Sequence, residues 1–437
     1  MIRRSPPLAA VAFAAILLLA GCASQEPPAQ TPADDIVALT GARLIDGTGR
    51  APIEQATLLV RDGRIEAAGA AADVQIPAGA ARVDLSGKTV MPGIVNAHGH
   101  VQHLTDTMPV RDDLLRRLQM YTNYGVTTVV SLGQGEDDLA DVVTLRDEQD
   151  QSELDRARVY TSGPSNRGYA TPDEARQAVN QLADRGVDRI KFHMQGGDGA
   201  MSGETVAGLI DQTHVRGLRA ASHIFTLAEA KLVVNGGVDV MAHSVRDQDV
   251  DEALITAMRD RNVGYVPTLT RELSVFTYET TPAFFQEPFF QRGMSLYGDE
   301  VTRLSDEGYQ QRVRANEGAQ AIKAALAQAS RNLKILSDAG VPIALGTDSG
   351  AGGGRWQGYF EHVEMEMMVE AGMTPMQVLV AATGGAAAAS NLDDVGTIAP
   401  GKAADFLVLD ANPLDDIRNT RQIDSVWIAG RQLTDPN

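Results

Sequence analysis

Cysteine occurs once in the 437 residues, at position 22, so no disulfide can form within the chain and no catalytic thiol can sit inside the fold. Basic residues are also in short supply: 38 Lys and Arg stand against 57 Asp and Glu, for a formal net charge of −19. Phosphate backbones are bound by clustered Lys and Arg, so nucleic acid is excluded as a partner; the acidic surplus is accounted for by solubility. Aromatic residues make up 5% of the chain. No apolar run reaches the roughly 20 residues that a membrane-spanning helix needs. What is present is a globular composition, 43% apolar and 22% charged. The length suits an α/β barrel of about 250 residues with a smaller companion domain.

Arg3 and Arg4 give a basic start, and Leu8 to Ala20 are uninterruptedly apolar, the pattern of a secretory signal. The run ends in Leu19-Ala20-Gly21-Cys22, which resembles a bacterial lipobox. Residues 1–21 are therefore expected to be a lipoprotein signal peptide and Cys22 the lipidated residue, several acyl chains giving a stable membrane anchor. Ala23, where Asp would stand in an inner-membrane protein, points to the outer membrane facing the periplasm. Residues 22–35, with Pro27, Pro28 and Pro32 and no apolar periodicity, read as a tether.

From Ile36 to Val90 short β-rich runs alternate with turns such as Asp62-Gly63 and Ser86-Gly87. Leu407 to Leu409 and Ser425 to Ile428 have the same texture. Residues 36–90 and 400–437 are expected to pair as a small β-sandwich around a central domain, 91–399. Within it, eight strand-length apolar runs are separated mostly by helical stretches: Thr89–Val95, Gly125–Leu132, Arg158–Gly163, Arg189–Met194, Arg219–Phe225, Val238–Ser244, Gly264–Leu269 and Ile343–Ser349. Helices are expected over Thr171–Gly186, Thr205–Arg216 and Leu227–Asn235. Eight strands with intervening helices make a (β/α)8 TIM barrel. From Arg271 to Gln310 the alternation lapses and Phe284, Phe285, Phe289, Phe290 and Tyr297 crowd together, which reads as an elaborated loop near the barrel mouth or as aromatic packing on the wall.

Active sites of such barrels lie at the C-terminal strand ends, and metal-ligating residue types gather there. Strand 1 leads into Asn96-Ala97-His98-Gly99-His100, where alternate side chains share a face. Strand 4 carries Lys191, strand 5 ends at His223, strand 6 at His243 and strand 8 at Asp348. One strand histidine is ordinarily a hydrogen-bonded core residue, and one lysine a salt bridge. Their joint occurrence in this order points to a metal site.

Three segments, Val90-Met91-Pro92-Gly93-Ile94-Val95-Asn96-Ala97-His98-Gly99-His100, Gly186-Val187-Asp188-Arg189-Ile190-Lys191 and Leu345-Gly346-Thr347-Asp348, resemble the amidohydrolase superfamily. So do the stretches Ala371 to Pro375 and Gly396 to Asp405. Within the superfamily the chain resembles the prolidase-like and imidazolonepropionase-like branch. The resemblance implies that His98, His100 and Asp348 bind one divalent metal ion, His223 and His243 a second, and that Lys191 bridges them as a carbamate. An ammonium cannot ligate a cation, whereas an amine that has captured carbon dioxide is an anionic oxygen ligand. Zinc suits these ligands. Two metals sharing a hydroxide activate it and polarise the scissile carbonyl, with Asp348 moving the proton. Lys191 favours the prolidase-like side, with dipeptides or N-acyl amino acids as substrates. The alternatives are a cyclic-amide hydrolase of the imidazolonepropionase type, a lactonase, or a surface lipoprotein that binds a ligand without turnover. Relatives commonly form homo-oligomers, and the resemblance extends that expectation here.

The sequence also departs from the pattern. Prolidase-type relatives often carry a tyrosine two residues beyond the strand-5 histidine, and here it is Phe225; one lost oxyanion donor costs about 3 kcal/mol. His193 shares the inward face with Lys191 and is expected either to touch substrate or to orient a metal ligand. Arg246, Arg271 and Arg355 follow strands 6, 7 and 8, where a guanidinium could hold a carboxylate. Gly350 to Gly354 reads as a mobile loop at the mouth.

Overall fold

Alternating apolar and polar residues with turn glycines make strands of the first described segment. The computed structural model describes residues 36–151, 153–194 and 200–433; the expected signal peptide, tether and Cys22 lie outside them. Strands β1 (Ile36–Leu44), β2 (Ile53–Arg61) and β3 (Arg64–Ala70) form an antiparallel meander, while β4 (Ala81–Asp84) and β5 (Thr89–Pro92) both run parallel to β1. They share its free edge because β1 bends at register shifts around Ala42, as bulges do.

The chain leaves this sheet at Gly93. Thr89–Val95, expected as one barrel strand, is two: β5 in the sheet and β6 (Ile94–Gly99) in the barrel. Gly93 is required, because a Cβ there would lie 2.1 Å from Thr127 Oγ1. The barrel continues through β7 (Val126–Ser131), β8 (Arg158–Thr161), β9 (Arg189–His193), β10 (Arg219–His223), β11 (Val240–Ala242) and β12 (Gly264–Val266). Pairing is parallel from β6 to β8 and from β9 to β12. The two arcs join through Asn166, whose amide donates to the Lys191 carbonyl and whose carbonyl accepts from His193, both at 2.9 Å. Residues 343–348 are the eighth stave: the Ala344 amide donates to the Tyr265 carbonyl on one side, and those of Thr347 and Asp348 donate to the His98 carbonyl on the other, at 3.1 and 2.7 Å. The ring closes where two expected metal ligands meet.

The expected helices form with their caps. Pro172–Asp184 starts at Thr171, Gly203–Val215 at Ser202, and Leu227–Asn235 at a capping box of Thr226 and Glu229. Past the barrel, β13 (Phe406–Leu409) pairs antiparallel with β5, and β14 (Ile423–Ile428) and β15 (Arg431–Gln432) follow. Residues from the two expected segments thus pair through one connected set of eight strands, the β-domain expected of them. Its own core includes Leu58, Val60, Phe406 and Trp427.

The span 271–310 is helical and packed, which corrects the reading of it as an elaborated loop. It holds most of Leu269–Phe276, all of Met294–Leu304 and the first turn of Glu307–Ala315. Phe285, Phe290 and Tyr297 are buried with Tyr124, Trp356 and Tyr359 against the barrel wall. The glycine segment that follows stave eight is pinned to the same cluster, since the Tyr278 hydroxyl donates to the Gly354 carbonyl.

One contact on the seam gives a direct check. A Cβ on Gly346 would lie 2.4 Å from Val266 Cγ1 and 2.7 Å from His98 Cβ. Gly346→Ala is expected to cost about 1–3 kcal/mol, as overpacking does, and to lower activity more than stability alone explains because His98 is the atom group displaced. Urea unfolding alongside kcat checks it; a variant of wild-type stability and activity would show that the seam has slack.

Candidate metal centre

Side chains at i and i+2 on a strand share a face, and two such pairs converge inside the barrel mouth. His98 and His100 leave β6, and Lys191 and His193 lie on β9; with His223, His243 and Asp348 they line one cavity of about 320 Å3. The Nε2 atoms of His98 and His100 lie 3.2 and 2.8 Å from the same oxygen, Asp348 Oδ1. Ring centroids are 4.6 Å apart for His98 and His243, and 4.3 Å for His223 and His243. The six expected ligand residues are thus brought together. His193 joins them, stacked on His223 at 4.6 Å with rings 9° from parallel.

The electrostatics suit cation ligands. Burial first, and the nearby Lys191 next, bring the His98 imidazole down to about 3, and the same two causes bring His193 to about 3. Burial also holds His223 and His243 well below the ordinary imidazole range, so all four keep their lone pairs at neutral pH. Burial lowers the Lys191 amine to about 7, and its Nζ has no hydrogen-bond partner among the described residues. Burial pushes the Asp348 carboxyl up, but Arg355, His100 and His98 outweigh it and keep the group well below its ordinary range. Arg355 Nη1 pairs with Oδ2, leaving Oδ1 to the histidines.

The donor set fits divalent metal. His100 Nδ1 lies 2.8 Å from the Gly133 carbonyl, which can only accept, so Nδ1 carries a proton, and Nε2, 2.8 Å from Asp348 Oδ1, is the nitrogen left to face a cation beside that oxygen. His243 Nδ1 is likewise engaged by Thr268 Oγ1 at 2.7 Å, which frees its Nε2. A buried amine without a partner among the described residues is costly, and one held neutral is free to react or to donate its lone pair.

A carboxylate absent from the sequence reading braces the centre from below. Fully buried Glu361 accepts from Thr347 Oγ1 at 3.0 Å and Ser349 Oγ at 2.7 Å, the residues on either side of Asp348, and from Asn96 Nδ2. Asn96 Oδ1 in turn accepts from the His98 amide. Removing the acceptor strands three buried donors, so Glu361→Ala is expected to lose on the order of 3 kcal/mol, while Glu361→Gln keeps Oε1 and most of the stability. Burial raises the Glu361 carboxyl. Its stability contribution is therefore largest at low pH and declines as pH rises through the raised folded value. Chemical denaturation from pH 4 to 8 should show a decline in wild type that Glu361→Gln flattens, and identical profiles would remove this assignment.

Two residues expected at the substrate lie elsewhere. Arg246 is buried, pairing with Glu272 and donating to the Ile224 carbonyl. Phe225 is 38% exposed beneath the Arg246 guanidinium, 4.5 Å from its centroid. Neither lines the cavity, which is bordered instead by Arg271, Arg355 and Arg167, with Ser165, Gln102 and Gln134. Arg167 had no signal in the sequence beyond its place in the loop after the third strand.

Residues 89–433 match the model of the amidohydrolase family. The chain is 26% identical over 387 residues to imidazolonepropionase of Salinispora arenicola, covering 84% of this chain and 89% of that one. Among solved structures it resembles a Bifidobacterium longum protein provisionally called a prolidase, with 28% identity, a TM-score of 0.73, and 93% and 96% of the two chains covered. It shares its fold with a Xaa-Pro dipeptidase solved with methionine in the active site, at 20% identity, a TM-score of 0.69, and coverage of 91% and 99%.

Proposed function

Since the chain belongs to the amidohydrolase family and is a hydrolase of carbon–nitrogen bonds, we propose that it cleaves dipeptides or N-acyl amino acids with two divalent metal ions, zinc by preference. In this reading His98, His100 and Asp348 would hold one ion and His223 and His243 the other, with Lys191, carboxylated, completing the ligand set. The observation that carries it is the buried Lys191 Nζ, without a partner among the described residues, beside His98, His223 and His243, whose imidazoles burial keeps neutral. Bound metal supplies an activated water and polarises the carbonyl.

The chain's own residues do the rest. Arg355 fixes Asp348 at Oδ2 and keeps it ionised, so the carboxylate takes the attacking water's proton and returns it to the departing amine nitrogen. Held as a weak base, it gives that proton up readily. His193, neutral and facing the cavity, offers an N–H to the developing oxyanion in place of the missing tyrosine hydroxyl. The barrel wall of buried side chains excludes bulk water from these groups.

A second reading, hydrolysis of a cyclic amide, is favoured by the imidazolonepropionase relative. Elemental analysis of protein grown with bicarbonate, assayed on dipeptides, N-acyl amino acids and a cyclic amide, separates the two. About two ions per chain with chelator-sensitive cleavage of linear amides supports the first; one ion per chain with cleavage of the cyclic amide supports the second. The lipid anchor at Cys22 and an outer-membrane location form part of the proposal, tested by radiolabelled palmitate incorporation in wild type and Cys22→Ala. Among the described residues no helix is long and apolar enough to cross a membrane.

A further inference from the structure

The cavity's charge is lopsided. Asp348 is the one carboxylate among its described lining residues, and it is committed to His98, His100 and Arg355. Against it stand three guanidinia on two sides of the mouth. Arg167 follows β8, and Arg271 and Arg355 follow the seventh and eighth staves. Arg355 is balanced by Asp348. Arg271 shares the buried Glu272 with Arg246, so this trio holds one cation more than it has anions. Arg167 is exposed and has no hydrogen bond or ion pair among the described residues.

These guanidinia differ in how they are held. Both carboxylate oxygens of Glu272 accept from Arg271 Nη1, at 3.0 and 2.8 Å, so the fork is fixed while Nη2 and Nε have no partner among the described residues. A fixed guanidinium with two unused donors is a bidentate seat for a carboxylate. Arg167 is an exposed cation whose field reaches His193. A free dipeptide would bring an α-ammonium into this mouth, where no described carboxylate is free to receive it and Arg167 repels it. An N-acylated amino acid brings the carboxylate without the ammonium.

We propose that Arg271 and Arg167 are specificity-determining residues, Arg271 seating the substrate's carboxylate and Arg167 turning away a free amino terminus, so that the chain selects N-acyl amino acids over free dipeptides. This rests on the amide-hydrolase reading above and narrows it. The test compares N-acetyl-L-leucine, glycyl-L-leucine and N-acetyl-L-leucinamide on the zinc-loaded enzyme, with calorimetric binding of N-acetyl-L-leucine to the metal-free protein. Expected are a kcat/KM at least tenfold higher for N-acetyl-L-leucine than for glycyl-L-leucine and a hundredfold loss for the leucinamide. Arg271→Gln should raise KM for N-acetyl-L-leucine at least tenfold with a smaller change in kcat, and weaken metal-free binding to match. Arg167→Gln should narrow the ratio between acetyl and glycyl substrates. Equal or better cleavage of glycyl-L-leucine, or an Arg271→Gln variant with unchanged KM and binding, overturns the proposal while leaving amide hydrolysis standing. If no amide is cleaved but the metal-free protein binds N-acetyl-L-leucine through Arg271, the catalytic reading fails and the recognition holds; absence of that binding overturns the recognition too.

Discussion

Asp348→Asn is expected to lower kcat by about a thousandfold or more while the far-ultraviolet circular dichroism stays unchanged. Asparagine keeps the shape of the side chain but cannot take a proton, and proton transfer by a positioned group contributes about 10²–10⁴ in rate. Two further losses follow from the geometry. Oδ1 is the atom on which His98 and His100 converge, so a neutral amide there weakens a metal ligand set. Oδ2 is the partner of Arg355, which the amide leaves as an uncompensated guanidinium beside the cavity. Steady-state kinetics with metal analysis on the same samples separate these effects. A large fall in kcat with full metal content assigns the proton to Asp348; a fall that tracks lost metal assigns it to ligation. Activity within tenfold of wild type would remove Asp348 from the mechanism.

Lys191→Met should make the metal-free protein more stable and the enzyme inactive. Methionine fills a similar volume without the nitrogen. Lys191 is 1% exposed, and burial lowers its amine from 10.5 to about 7, so folding releases a proton over that interval. The sign follows from linkage: the penalty is present in full below about pH 7, shrinks as pH rises, and vanishes above 10.5. At neutral pH it amounts to on the order of 4 kcal/mol, and Lys191→Met should recover a good part of it, the gain fading toward pH 10. On the proposed mechanism the same substitution leaves no amine to carboxylate, and bound metal should drop from about two ions per chain to about one, with kcat down about a thousandfold. A metal-free variant less stable than wild type at pH 7 would mean that the amine has a partner the structure does not show; two ions retained would rule out the bridge.

Much of this architecture was legible from residue order alone, and the exceptions share a physical reason. The runs around Val129, Ile190 and Ala221 are short, apolar and bounded by turns, so local pattern suffices for them. The residues expected as ligands stood out because each stands at the mouth end of such a run, and the fold brings them to one cavity. Thr89–Val95 misled because the break at Gly93 is set by Thr127, more than thirty positions on. The aromatic span beyond Arg271 gave no helical period because several of its helices are a single turn or two and are fixed by packing on Tyr124, Trp356 and Tyr359. Arg246 was expected at the substrate because it follows a strand, yet its place is decided by Glu272. Glu361 and Arg167 carried no local signal, since the brace and the rim exist only once the ring has closed.

His243, Thr268 and Asp348 have φ of 85°, 51° and 58°. Left-handed backbone costs a non-glycine residue about 1–2 kcal/mol, and all three stand at the candidate metal centre. This places a limit on improving the protein by design. Relieving that strain would mean replacing residues that build the candidate metal centre, so any such change is made at the expense of turnover. The productive ground for such engineering is the terminal β-sheet, whose core of Leu58, Val60 and Trp427 is built apart from the ligands, so that added stability there need not be taken from the chemistry.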